Sequence, residues 1–203
     1  EALTPCARKK LTARLMSVSG LPEHPAKRPL EVTVLLQSDI IPFGFPPRYE
    51  YLYGEWLRPQ LEAGNIPQPS HNPDLAILLW QARQHSVTLM GVDAEKLIPP
   101  IPFSVIQMAI RDSLPGLLDW LKGDERNVLL TLARMWFTLE TGDICSKDAA
   151  AEWVCQKLPN SLSPLLEMAR AAYLGKIQDK WSNVEKDTLL VADFMRKRIE
   201  ALA

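Results

Sequence analysis

Cysteine is scarce in this 203-residue chain: three residues, Cys6, Cys145 and Cys155, with no metal-type spacing among them. An odd count without such spacing points away from a disulfide framework and toward reduced thiols in a cytoplasmic protein. His71 and His85 lack a Cys or His partner at zinc spacing, which argues against a zinc site. Charge of one sign is not in surplus either. With 23 basic and 24 acidic side chains the net charge is -1, which excludes a natively basic nucleic-acid clamp. Disorder is excluded by the 47% of apolar residues. Long apolar runs are missing: Leu75 to Trp80 is among the longest, far short of the ~20 residues of a membrane span. The first five residues, Glu-Ala-Leu-Thr-Pro, show no basic-then-apolar signal pattern. There is no Gly-x-Gly-x-x-Gly, Walker loop, Gly-x-Ser-x-Gly, HExxH or Asp-x-Asp. A chain of this mass still buries roughly 70% of its unfolded surface, enough for one large core or two small ones.

Proline is present, but on one side. Fourteen of the 17 prolines fall within residues 1–102. Because proline resists helix interiors, the first half is expected to hold loops, short strands and capped helices, and the second half mostly helices. The run Pro99-Pro100-Ile101-Pro102 marks the boundary, dividing the chain into 1–100 and 101–203. Thr4-Pro5 reads as the start of a helix stopped by Gly20, with Leu11, Leu15 and Val18 on one face. Leu30 to Leu36 reads as a strand, with Val32, Val34 and Leu36 on one side and Glu31, Thr33 and Leu35 on the other. Glu50 to Ala63 reads as strand passing into helix, and Asn72-Pro73-Asp74 opens a helix to about His85. Five helices are expected in the second half. They start near Ser104 (interrupted by Pro115), Asp124, Ser146, Ser163 and Asn183, and the short connections favour a bundle.

The segment Asp124 to Gly142 carries the clearest pattern. It is apolar almost all round, yet Asp124, Asn127, Thr131, Arg134 and Thr138 recur at helical spacing. At about 100° per residue they occupy an arc of roughly 80°. So narrow a polar stripe suits a cleft better than open solvent, where more Lys and Glu would stand. Asp124 has two readings, an N-cap or a ligand group. Glu31 reads as an ordinary surface carboxylate or as a base or metal ligand fixed on a strand. Lys147, at a helix start already carrying partial positive charge, suits an anion such as phosphate or is simply a surface lysine. Tyr173 can stack on a base or fill the core, whereas Trp136 and Trp153 read as core. Trp56, between Glu55 and Arg58, is less easily assigned to the core. The helix dipole accounts for Asp74 without any function.

Several stretches in one order carry a resemblance. They are Pro29-Leu-Glu31-Val-Thr-Val34, Tyr53-Gly-Glu-Trp56-Leu-Arg58, Pro73-Asp74-Leu-Ala-Ile-Leu78, Lys122-Gly-Asp124-Glu-Arg-Asn127, Leu130-Thr-Leu-Ala-Arg134-Met-Trp136 and Ser146-Lys147-Asp-Ala-Ala-Ala-Glu-Trp153. Together they resemble the aminoglycoside adenylyltransferases of spectinomycin and streptomycin resistance, over nearly the whole chain. The resemblance implies an α+β protein: a polymerase-β-like nucleotidyltransferase domain with a mixed sheet, then an all-α C-terminal bundle of about five helices. ATP and drug would lie in the cleft between them. Glu31 matches the family's third active-site carboxylate, implied general base and a ligand to Mg2+. Arg134, Lys147, Tyr173 and Asp74 match nucleotide-contacting positions. Trp56, Asp124 and Asn127 match drug-contacting ones.

Streptomycin-modifying members carry a Trp and an Asp at set positions ahead of Gly-Asp-Glu. Here Asp119 and Trp120 stand out of that register, so the resemblance points to the branch that adenylylates the 9-hydroxyl of spectinomycin. The family's Gly-Ser loop and paired aspartates are not among these residues and are expected ahead of residue 1. The 203 residues alone are therefore expected to be inactive and to self-associate through an open sheet edge. Two other readings remain at this point, a non-catalytic drug- or nucleotide-binding module and a helical interaction protein.

Overall fold

Thr4 and Pro5 do start the first helix. In the computed structural model, which describes residues 2–20, 26–178 and 180–203, α1 runs Pro5–Val18 and the Thr4 hydroxyl accepts the Ala7 N–H at 3.2 Å. The chain divides into two units, Glu1–Ile101 and Pro102–Ala203, in an α+β architecture.

In the first unit, β1 (Val32–Val34) is shorter than the expected Leu30–Leu36 and is followed by the single-turn α2 (Gln37–Ile40). Next come β2 (Arg48–Tyr49) and β3 (Tyr51–Tyr53), then a 3-10 turn over Glu55–Leu57 and α3 (Arg58–Glu62). The sequence Asn72-Pro73-Asp74 opens a helix as expected: β4 (Ser70–His71) leads into α4 (Asp74–His85), and α5 (Ala94–Leu97) closes the unit. Two antiparallel pairs form, β1 with β3 (Val32 opposite Tyr53, Val34 opposite Tyr51) and β2 with β4. The core gathers on Tyr51, Tyr53 and Leu61, with Leu11 and Leu15 of α1 packed on it.

The expected apolar face of α1 is only partly right. Val18 is exposed, and the buried line of α1 includes Arg8 and Thr12, followed by Ser19 just beyond its end. Each meets a polar group on the segment from Glu50 to Glu55. Arg8 pairs with the buried Glu50, Thr12 Oγ1 lies 2.9 Å from the Tyr51 hydroxyl, and Ser19 donates to Glu55. These contacts satisfy most of the buried polar atoms on this line, while Arg8 Nε is buried without a hydrogen-bond partner.

The second unit is helical: α6 (Phe103–Asp119), α7 (Glu125–Thr141), α8 (Lys147–Cys155), α9 (Ser163–Tyr173) and α10 (Glu185–Leu202). Helix α7 is apolar nearly all round because it packs on α8, α9 and α10 together. Its buried side chains include Leu129, Leu132 and Trp136. Gly142 ends it in the left-handed region at φ 72°. Pro115 does not interrupt α6, and Ser104 does not cap it; the N-cap is Pro102. Burial of Ile106, Ala109, Ile110 and Leu114 along one side holds that helix through the missing donor. Among the described residues no helix is long and apolar enough to cross a membrane.

Candidate functional site

The first unit carries Glu31, Trp56 and Asp74. Glu31 lies just ahead of β1, not within it, and its side chain is exposed. Trp56 sits in the 3-10 turn and is 57% exposed. Asp74 is the first residue of α4, and its N–H donates to Asn72 Oδ1 at 2.9 Å. The stabilising carboxylate in the first turn and the Asx contact account for its place there.

Beneath Glu31 and Trp56 lies a cluster that sequence patterns do not reveal. The Glu55 carboxylate accepts from Arg58 Nε at 2.5 Å and Arg58 Nη2 at 2.9 Å, from the Tyr53 hydroxyl at 2.8 Å, and from Ser19 Oγ. Ser19 Oγ in turn accepts the Leu30 N–H at 2.9 Å, next to Glu31. Arg58 also reaches the Ser19 carbonyl at 3.2 Å. One carboxylate thus joins the end of α1, the approach to β1, β3 and the start of α3. The Glu55-x-x-Arg58 spacing is the one local signal of this cluster. The Ser19 contact has none, because it comes from 36 residues away along the chain.

Arg58 chiefly, against the opposing effect of burial, lowers the Glu55 carboxyl to about 2 from an ordinary 4.5. A depressed folded-state pKa stabilises fully above the unfolded value and is lost as pH falls through the folded one. Stability of the wild type should therefore decline between about pH 4.5 and 2. Glu55→Gln should show a flatter decline over that window in thermal unfolding. Parallel curves for the two proteins would show that Glu55 does not carry this effect.

The second unit links three expected residues, Asp124, Asn127 and Lys147, by hydrogen bonds. Asp124 occupies the N-cap position of α7, yet its carboxylate makes no hydrogen bond to the helix amides. It accepts instead from Asn127 Nδ2 at 3.0 Å, and Asn127 Oδ1 accepts from Lys147 Nζ. Helix α7 supplies Asp124 and Asn127 one turn apart on the same side, and the first residue of α8 supplies the lysine. Further along the stripe Thr131 donates to the Asn127 carbonyl at 2.7 Å. Arg134 stands close enough to Cys145 to draw that thiol down, although burial, the larger influence, pushes it up. Thr138 departs from the expected pattern: it is 2% exposed, so the stripe runs into the interior at its far end.

Phosphate was one expected occupant of the α8 start. The Asp148 carboxylate already engages the first amides there and is held low mainly by the Ser146 hydroxyl. Anion recognition at that point accordingly falls to side chains. Tyr173, at the end of α9, is 50% exposed and does not fill the core. Trp153 is not fully core either. It is half-buried, edge-on to Trp136 at 6.1 Å and Phe137 at 5.3 Å, with Lys157 over its ring.

A hard divalent cation such as Mg2+ requires several oxygen ligands in near-octahedral array. Among the described residues no three His, Cys, Asp or Glu side chains come together as metal ligands. Glu31 can contribute one oxygen, but it does not by itself make a magnesium site.

Comparison with known proteins decides the family. The profile described as "Aminoglycoside adenylyltransferase, C-terminal domain" matches residues 96–198. A spectinomycin 9-adenylyltransferase of Campylobacter jejuni is 54% identical over 202 residues, covering 100% of this chain and 78% of the relative. The chain belongs to the aminoglycoside adenylyltransferase family. A spectinomycin 9-adenylyltransferase of Staphylococcus aureus is 48% identical over 98% of this chain and 77% of its own length. An aminoglycoside (3'') (9) adenylyltransferase of Escherichia coli is more distant, 41% identical over 85% of this chain and 67% of its own length. Among solved structures, the spectinomycin adenyltransferase of Enterococcus faecialis, crystallised with ATP and spectinomycin, matches with a TM-score of 0.92 at 34% identity. That match covers 98% of this chain and 80% of the other.

Proposed function

We propose that this chain carries the nucleotide- and drug-binding groups of an enzyme that transfers AMP from ATP to the 9-hydroxyl of spectinomycin, in preference to streptomycin. In that reaction the drug oxygen bonds to the α-phosphorus, the bond from that phosphorus to the bridging oxygen breaks, and pyrophosphate leaves. The drug hydroxyl gives its proton to Glu31, whose exposed carboxylate at the entry to β1 suits a general base. Arg134, Lys147 and Tyr173 take the nucleotide, two cations for phosphate charge and one aromatic ring for stacking, and Asp74 of the first unit is assigned to the same ligand. Trp56, Asp124 and Asn127 take the drug.

One observation supports this reading above the others: Asp124 stands at an N-cap without capping. A carboxylate spared from helix amides and steadied by Asn127 is suited to a cationic, hydroxyl-rich aminocyclitol, and placing it in advance reduces the cost of binding. The named activities of the spectinomycin adenylyltransferases that match this chain point the same way. The 203 residues contain neither a Gly-Ser loop nor an Asp-x-Asp pair. Within its sheet β1 pairs with β3, which leaves its other edge suited to a further strand, from another copy or another segment.

Isothermal calorimetry tests the assignment. Removing a charge-assisted hydrogen bond costs about 1.5–3 kcal/mol, so Asp124→Ala should weaken spectinomycin roughly tenfold to a hundredfold. ATP affinity should change little in that variant. Unchanged spectinomycin affinity would return Asp124 to a purely structural role.

A further inference from the structure

We propose that Gly54 is a positioning residue for the indole of Trp56, and that its missing side chain is what sets the ring's pose toward the drug. The inference rests on the reading of Trp56 as a drug contact and extends it to a residue with no assigned role.

The backbone does not explain the glycine. Gly54 has φ -164° and ψ 159°, an extended conformation open to any residue. Space does explain it. A Cβ on Gly54 would fall 2.2 Å from Trp56 Cη2 and Cζ3 and 2.5 Å from Cε3, well inside van der Waals contact. The six-membered ring of the indole therefore occupies the volume that any other residue's Cβ would need. Gly54 is buried while the ring above it is 57% exposed, so the indole rests with one side on the backbone and the other open.

The support under the ring is itself held. Leu57 N–H donates to the Gly54 carbonyl at 2.9 Å, closing the turn that carries Trp56. Glu55, between the two, is bound by Arg58, Tyr53 and Ser19. The backbone is thus fixed by the Glu55 cluster, and the ring lies against Gly54 on one side. An aromatic face presented in one pose offers cation–π and apolar contact to an amine-bearing ring at little cost in side-chain entropy.

The test compares four proteins by calorimetry with spectinomycin: wild type, Gly54→Ala, Trp56→Ala and the double variant. Gly54→Ala and Trp56→Ala should each weaken the drug about tenfold, with ATP affinity unchanged. The double variant should be no weaker than Trp56→Ala, because without the indole the new methyl displaces nothing. A purely structural role for Gly54 would instead give additive losses, which would overturn the proposal. So would wild-type drug affinity in Gly54→Ala. The near-ultraviolet dichroism contributed by Trp56, taken as wild type minus Trp56→Ala, should change in Gly54→Ala with no drug present. If Trp56→Ala binds spectinomycin normally, the drug-contact reading fails and the inference falls with it; if only Gly54→Ala binds normally, the inference alone fails. Should Gly54→Ala not fold, the double variant must fold, and an unfolded double variant would also refute the role.

Discussion

Glu50→Ala should cost about 3–5 kcal/mol of folding stability, the range for removing one partner of a buried ion pair. Glu50 is 1% exposed, and its carboxylate accepts from Arg8 and from the Leu3 N–H at 2.8 Å, with Arg48 Nη1 3.7 Å away. Arg8 is itself buried, so losing the carboxylate leaves a desolvated guanidinium without its anion. Arg48 loses less, because Asp39 holds it at 2.7 Å. The penalty belongs to the orphaned charge more than to the pair. The double variant Arg8→Met, Glu50→Met should therefore recover much of the loss. Urea unfolding of the single and double variants separates the two effects. A single-variant cost below about 1 kcal/mol, or a double variant as unstable as the single, would contradict this account of the Arg8–Glu50 pair.

Trp136→Ala should be comparably severe in the second unit, at about 3–5 kcal/mol for an aromatic deleted from a packed core. Trp136 is 1% exposed on α7, packed against Trp153 and, at 6.2 Å, Phe194 of α10. Its Nε1 donates to Glu140 Oε2 at 2.6 Å. Truncation opens a cavity where α7, α8 and α10 meet and removes that donor from a carboxylate also held by Lys157. The same change at Trp153, which is half-buried, should cost distinctly less. Denaturant midpoints for the two variants give the comparison, and equal losses would show that the packing around Trp136 is not the centre of this core.

Much of the helical framework is legible in the order of residues. Thr4-Pro5, Asn72-Pro73-Asp74, Ser163-Pro164 and Gly142 mark helix ends because capping and proline chemistry act over three or four residues. The 3.6-residue periodicity of α7 also exposes the stripe holding Asp124, Asn127 and Arg134. Local rules fail where packing competes with them. Pro115 lies inside α6 because one buried face holds the helix together, and Thr138 is buried because the stripe outlasts the surface it borders. For Asp124, local rules leave the cap and the ligand group as alternatives. In the structure the carboxylate bonds to Asn127, which in turn bonds to Lys147, and makes no cap bond to the helix amides.

The sequence by itself determined the class of protein, most helix starts and the family to which it belongs, since each depends on composition, short-range order or motif. Only the tertiary structure decided which polar groups are interior. Arg8 with Glu50, Thr12 with Tyr51, and Ser19 with Glu55 are separated by 36 to 42 residues along the chain, and no local pattern links them. The use of Gly54 was likewise invisible in sequence, because it follows from where a neighbouring ring comes to rest. Hydrogen bonds and ring contacts of this kind act through space over a few ångströms, and only folding brings their partners within that range.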